Sequence, residues 1–179
     1  PGITDRYALR PDAAASALYF AIEDFSVRDY AGGYADVQAR LLRLIGDPEA
    51  RYREDPVRML RAVRLAAKLD FTIEAGTAEP IPRLALLLGE AAPARLFEET
   101  LKLFLSGHAV ASFERLEAHG LLSALLPETA QALASNKSGA LRRMLVQGLR
   151  NTDARVAADE SVSPAFLYAV LLWPAYCRA

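Results

Sequence analysis

The chain has 179 residues, 53% of them hydrophobic, and a net charge of −1, a globular composition that suits one compact domain or two small ones and excludes a uniformly basic nucleic-acid binder. Its single cysteine, Cys177, excludes a disulfide framework, and no Cys/His cluster has metal-ligand spacing. The apolar runs LALLLGEAA and AFLYAVLLWP are too short to cross a bilayer and the N-terminus lacks a basic start followed by an apolar stretch, so the chain reads as soluble and cytoplasmic, with no membrane partner.

In chain order, AASALYFAIEDF reads as an apolar helical run. SVRDYAGGYADVQARLLRLIG reads as a short strand, a Gly32-Gly33 turn, a brief helical piece and a second short strand ending at Gly46. Asp29 and Asp36 flank that turn, where a carboxylate usually fixes the backbone. Pro48 and Pro56 punctuate the next stretch. Pro56 suits the first turn of a helix, with Asp55 or Glu54 at the capping position, and apolar residues at 57, 60, 63, 66 and 67 carry that helix to about Leu69. Further helices are expected near 75–88, 93–106, 109–118 and 120–125, with Gly107-His108 and His119-Gly120 as breaks. Pro127 to Gly139 reads as a looser connection. ALRRMLVQGLRN and SPAFLYAVLLWP are again helical, the second opened by Ser163 and Pro164. The fold class is therefore mainly α, a helical bundle with a short β-hairpin-like piece near the N-terminus.

The basic residues are unevenly placed. Of 21, 18 are arginine, a side chain suited to bidentate contacts with phosphates and base edges. Residues 49–68 hold Arg51, Arg53, Arg58, Arg61, Arg64 and Lys68 against Glu49, Glu54 and Asp55. Residues 137–155 hold Lys137, Arg142, Arg143, Arg150 and Arg155 against Asp153 alone. On a helix Asp55 and Arg58 lie about 60° apart and Arg61 about 60° further, while Arg64 has turned roughly 180° from Asp55. Asp55, Arg58 and Arg61 can thus line one edge, as a binding site or as a solvated face paired with acids such as Glu54; spacing leaves both open. The histidines read as boundary residues, Cys177 as buried, and Trp173 and the tyrosines as core. No Gly-rich phosphate loop and no strand-borne pair of acids for two magnesium ions is present, so no residue of this chain reads as a metal ligand or catalytic carboxylate.

Three motifs occur in order: D-Y-x-G-G-x-x-D over 29–36, R-x-I-G-D-P over 43–48, and E-D-P-x-R-M-L-R-A-x-R over 54–64, followed by PARLFEETLKLFLSGHA. Together they resemble the region joining catalytic head to neck in the class II tRNA nucleotidyltransferase and bacterial poly(A) polymerase family, and the similarity covers about residues 17–130. GLRNTDARVAADESVSPAFLYAVLLWP resembles the body of the poly(A) polymerase branch. The resemblance implies a helical neck and body: 1–24 as the end of the catalytic head, 25–125 as the nucleotide-reading neck and 126–179 as the start of an RNA-binding body. It implies AMP addition from ATP to an RNA 3′ end, or CCA addition as the alternative; a helical RNA-binding module without chemistry is the reading from another class. By resemblance Asp55 and Arg58 read the base with Arg61 and Glu54 beside them, Arg95 and Glu98 brace the pocket, and Arg10 and Asp12 approach the triphosphate and ribose. Arg142, Arg143 and Arg150 are expected on the RNA backbone. RPDAAASALYF departs from the family's R-R-D-F-T-hydrophobic-N-A-L-Y at Pro11, Ala13, Ala14, Ala15 and Ser16. The magnesium-binding carboxylates are expected upstream of Pro1, so the chain alone is expected to add no nucleotide.

Overall fold

The amphipathic stretch VRMLRAVRLAAKL forms the helix about which the remainder packs in the computed structural model, which describes residues 12–14, 17–21 and 26–178. Its inward positions, among them Val57, Met59, Leu60, Val63 and Ala66, are buried, while Arg58, Arg61 and Arg64 emerge at its edges. Pro56 precedes it, where a missing N–H costs nothing, and the Asp55 carboxylate accepts from the Val57 N–H at 3.3 Å. Asp70, in the left-handed region at φ 53°, ends it.

Two strands, β1 (Leu18–Ala21) and β2 (Ser26–Asp29), pair antiparallel with Leu18 opposite Asp29. The helical run expected from AASALYFAIEDF is therefore corrected over Leu18–Ala21, while residues 15, 16 and 22–25 of it lie outside the described residues: a short apolar stretch carries no decisive period, and cross-strand pairing wins over it. Asp29 gathers the N–H groups of Ala31, Gly33 and Tyr34 at 3.1, 2.9 and 2.9 Å, which fixes the turn into α1 (Gly33–Gln38) as expected. Asp36 has a different task. It is buried and takes a two-pronged contact from Arg43. Strand β3 (Leu41–Leu42) runs parallel to β4 (Thr72–Ile73), and residues 12–14 lie against 43–45 through Ala14 N–H to the Arg43 carbonyl and Ile45 N–H to the Asp12 carbonyl. These pairings bring Asp12 to the arginine-bearing helix.

Helix α2 (Pro48–Glu54), not anticipated from sequence, starts on an Asp47 cap that accepts from Ala50, and the central helix is α3 (Val57–Leu69). The expected helix over 75–88 is broken into α4 (Ala75–Ala78), α5 (Ile81–Leu84) and a 3-10 segment, Ala85–Glu90, because Pro80 and Pro82 remove donors from its middle. Then follow α6 (Pro93–Phe104), α7 (Ala109–Ala118) and α8 (Leu121–Leu125). Pro127–Ser135 is helix α9 rather than a loose connection, since its proline occupies a first-turn position and Thr129 and Ala132 are buried. Helices α10 (Ala140–Ala157) and α11 (Pro164–Tyr176) close the bundle, and Ser163 caps α11 by accepting from Phe166.

One hydrophobic core runs from Tyr52 and Leu60 through Phe104 and Phe113 to Leu149 and Leu171, across residue 125. Trp173 is 47% exposed and Cys177 is exposed, contrary to their expected burial, because α11 is apolar around its whole circumference and its sequence does not say which face turns inward. Glycine brings α10 close to α11. A Cβ on Gly148 would stand 2.6 Å from Val170 Cγ1, closer than carbon atoms tolerate. Gly148→Ala is thus expected to destabilise the chain by about 1–3 kcal/mol despite alanine's better helix propensity, read as a fall in melting temperature of roughly 2–4 °C per kcal/mol; an unchanged or higher melting temperature would show that the helices can separate without cost.

Candidate functional site

The helix edge and the paired segment 12–14 meet in a cluster of ions. Asp12 accepts from Arg58 Nε at 2.9 Å and from Arg61 Nη1 at 3.1 Å, with Arg51 Nη2 at 3.5 Å. Arg58 Nη1 also donates to the Arg51 carbonyl at 2.8 Å and to Glu54 at 2.6 Å, so three hydrogen bonds fix its guanidinium. A guanidinium has five N–H donors, and those on Nη2 are not used by any described residue. Asp55 is held from the other side by Arg95 Nη2 at 2.8 Å and by the Val57 N–H, which leaves carboxylate lone pairs to spare.

The charges reinforce one another. Burial pushes the Asp55 carboxyl up, but the Arg95 hydrogen bond and charge outweigh it and hold the group below the usual carboxylate range. Burial likewise works against the charged forms of Arg58 and Arg61, and their acidic partners, Glu54 and Asp12 for Arg58 and Asp12 and Glu99 for Arg61, more than restore them. Glu54 is lowered chiefly by its Arg58 hydrogen bond. The shifts of Glu54, Asp55, Arg58 and Arg61 thus all run toward their charged forms.

Of the residues expected here, the structure brings together Asp55, Arg58, Arg61, Glu54, Asp12 and Arg95. Arg10 lies outside the described residues. Glu98 is exposed and makes no contact with the cluster; the acid on the inner face of α6 is its neighbour Glu99, 4% exposed, with Arg61 at 3.5 Å, Arg64 at 3.6 Å and Lys102 at 3.0 Å. Helical phase gives the signal for this shift, since Glu99 lies one turn from buried Leu103 and next to buried Thr100. Arg64, expected to serve something else, serves Glu99. Arg51 is the other contributor missed from sequence. A cavity of about 10 Å³ beside Asp12, Arg58 and Arg61 has room for roughly one water molecule.

The second basic group lies on α10. Arg142 is paired with Glu117 and sits over the Phe113 ring at 5.2 Å, and Arg143 donates to the Ser138 carbonyl. Arg150 is exposed, with no ion pair among the described residues. No helix among the described residues is long and apolar enough to cross a membrane.

Residues 70–133 match the family described as "Probable RNA and SrmB- binding site of polymerase A". The chain is 48% identical over 172 residues to Poly(A) polymerase I of Salmonella typhi, covering 96% of this chain and 37% of that one. It is 42% identical over 83 residues to the CCA-adding enzyme of Pediococcus pentosaceus, covering 46% of this chain and 21% of that one. The chain belongs to the family of bacterial poly(A) polymerases and CCA-adding enzymes. It thus spans 37% of the length of a poly(A) polymerase relative that it matches almost end to end. In fold, this family member is similar to a tRNA nucleotidyltransferase solved with a primer tRNA and an incoming ATP analog, at a TM-score of 0.68 and 23% identity over 96% of this chain and 49% of that one.

Because Glu99 is buried among three cations and Glu98 points to solvent, the two neighbours are expected to respond differently to loss of charge. Glu99→Gln should cost about 1–3 kcal/mol in chemical denaturation, while Glu98→Gln should stay within about 0.5 kcal/mol of wild type. The reverse order would return the bracing role to Glu98.

Proposed function

We propose that this chain is the nucleotide-reading and RNA-binding part of a poly(A) polymerase, which adds AMP from ATP to RNA 3′ ends. The observation that carries the reading is the pairing of Asp55, with acceptor capacity to spare, and Arg58, with Nη2 donors to spare, each fixed by neighbours at hydrogen-bond distance. Adenine presents an amino donor beside a ring-nitrogen acceptor. A carboxylate accepts from the first and a guanidinium donates to the second, so this pair can act as a protein template. Guanine and uracil reverse the order and leave buried polar groups unpaired, at about 1–3 kcal/mol each. Cytosine presents the same order as adenine, so pocket size must exclude CTP. The poly(A) branch is favoured over the CCA-adding one because the match to a poly(A) polymerase covers 96% of the chain and that to a CCA-adding enzyme 46%.

Within this proposal, residues 25–125 read the nucleotide and 126–179 contact RNA, with Arg143 and Arg150 offering unpaired charge to the backbone and Arg142 held against Glu117. Asp12 takes the role of organiser: its oxygens are occupied by Arg58 and Arg61, so it orients the template arginine instead of reaching for ribose. Among the described residues no group of three or more His, Cys, Asp or Glu could hold a metal ion, so no step here is routed through the magnesium that family chemistry implies.

In the full-length polymerase carrying this sequence, Asp55→Ala and Arg58→Ala are each expected to lower kcat/KM for ATP at least tenfold and to narrow the preference for ATP over GTP and UTP, with the fold retained. Steady-state kinetics with all four nucleotides checks this. Wild-type selectivity in both variants would reduce the helix edge to a solvated face.

A further inference from the structure

Helix α10 presents a face of one charge sign. Arg143, Gln147, Arg150, Asn151 and Arg155 are all exposed and fall within an arc of roughly 140° at 100° per residue. The only carboxylate on the helix, Asp153, lies outside that arc, about 60° beyond Arg150, and accepts from the Ala109 and Val110 N–H groups at 2.6 and 3.2 Å, which caps α7. Asp153 is therefore used inside the protein, and of the three arginines on this face Arg155 has an acidic partner, Glu160, beyond the end of the helix.

That face leads into a cleft of about 700 Å³ between the last turns of α10 and the first turn of α11, a volume in the range of ligand sites. Asn151, Ala154 and Arg155 form one wall, Ser161, Val162 and Ser163 close the end, and the ring of Phe166, 43% exposed, forms the other wall. Arg155 Nε and Nη2 donate to the Ser161 carbonyl at 3.3 and 3.2 Å and so hold the end in place. Asp159 and Glu160 line an adjoining hollow beyond Ser161 and Val162, with Glu160 paired to Arg155 at 3.2 Å, so the nearby acids do not interrupt the Arg143–Arg150 stripe. The close approach of α10 to α11 at Gly148 sets the wedge from which the cleft opens.

We propose that the cleft between α10 and α11 is a single-stranded RNA site, in which an unpaired base stacks on Phe166 while Arg143 and Arg150 contact the flanking phosphates. Flat aromatic surface beside a cationic track is the arrangement that binds single strands without reading sequence, and charge complementarity selects a polyanion over an apolar peptide for this surface. The site lies outside residues 70–133, the segment matched by the RNA-binding family description. It rests on the reading that the chain handles RNA and adds where a strand is held away from the nucleotide-reading edge.

The test is fluorescence anisotropy of the full chain with a fluorescein-labelled oligoadenylate of fifteen nucleotides across a salt series, with circular dichroism as the check on folding. Phe166→Ala and Phe166→Leu are expected to weaken binding about tenfold, and Phe166→Tyr to keep wild-type affinity, since stacking needs a ring. Arg143→Gln with Arg150→Gln is expected to reduce the salt slope by about 1–2. Equal binding by wild type, Phe166→Ala and Phe166→Leu would remove RNA from the cleft and leave the proposed function standing. A loss in Phe166→Tyr as large as in Phe166→Ala would likewise overturn stacking. No binding of oligoadenylate by the folded wild-type chain would overturn both this site and the RNA-binding part of the proposed function, a result distinct from the nucleotide selectivity measured at Asp55 and Arg58.

Discussion

One carboxylate, that of Asp12, sits among three guanidinium groups, and the geometry of the candidate site follows from it. Arg58 is only 13% exposed at its side chain, so water cannot neutralise it. Asp12 and Glu54 supply the compensating charge, and the Arg51 carbonyl fills a third direction. A guanidinium tethered on three sides cannot swing. What remains of it, the Nη2 edge, is aimed by the protein itself, the kind of preorganisation that the proposed base reading draws on. Asp12 reaches this position through backbone pairing of 12–14 with 43–45, so the orientation of Arg58 depends on that bridge as well as on its own helix.

The same logic extends outward along α6. Arg95 steadies Asp55, and Glu99 collects Arg61, Arg64 and Lys102, so a single helix supplies both a cation for Asp55 and an acid for Arg61 and Arg64. Neighbouring charges of opposite sign favour the charged forms of Asp55 and Arg61 despite partial burial. The body helices use charge differently. There Asp153 is drawn inward as a cap, and the outward face of α10 is left positive. Around Asp12 each arginine meets an acid, whereas on α10 Arg142 and Arg155 have acidic partners and Arg143 and Arg150 have no ion pair among the described residues.

Much of this was legible in the sequence. The 3.6-residue period of Val57–Leu69, the turn-fixing role of Asp29 and the Ser163 cap were all visible, because each depends on contacts within a few residues. The clustering of Asp55, Arg58 and Arg61 followed from helix geometry. What was not legible depends on distant partners. Leu18–Ala21 is a strand only because Ser26–Asp29 lies beside it, and Asp12 meets Arg58 across 46 positions of sequence. That Glu99 and not Glu98 faces the arginines is a matter of one residue of helical phase, and the exposure of Trp173 follows from a helix whose apolar residues surround it completely.

The orientation of Arg58 depends most directly on its coupling with Asp12. A double-mutant cycle of Asp12→Ala and Arg58→Ala, read by chemical denaturation of the chain, measures that coupling with effects on the separate residues subtracted. Both side chains are less than a quarter exposed, and a charge-assisted contact at 2.9 Å in such a place is expected to give a coupling of about 1–3 kcal/mol. A coupling within roughly 0.3 kcal/mol of zero, the level of independent sites, would contradict it and would mean that Arg58 is oriented without Asp12.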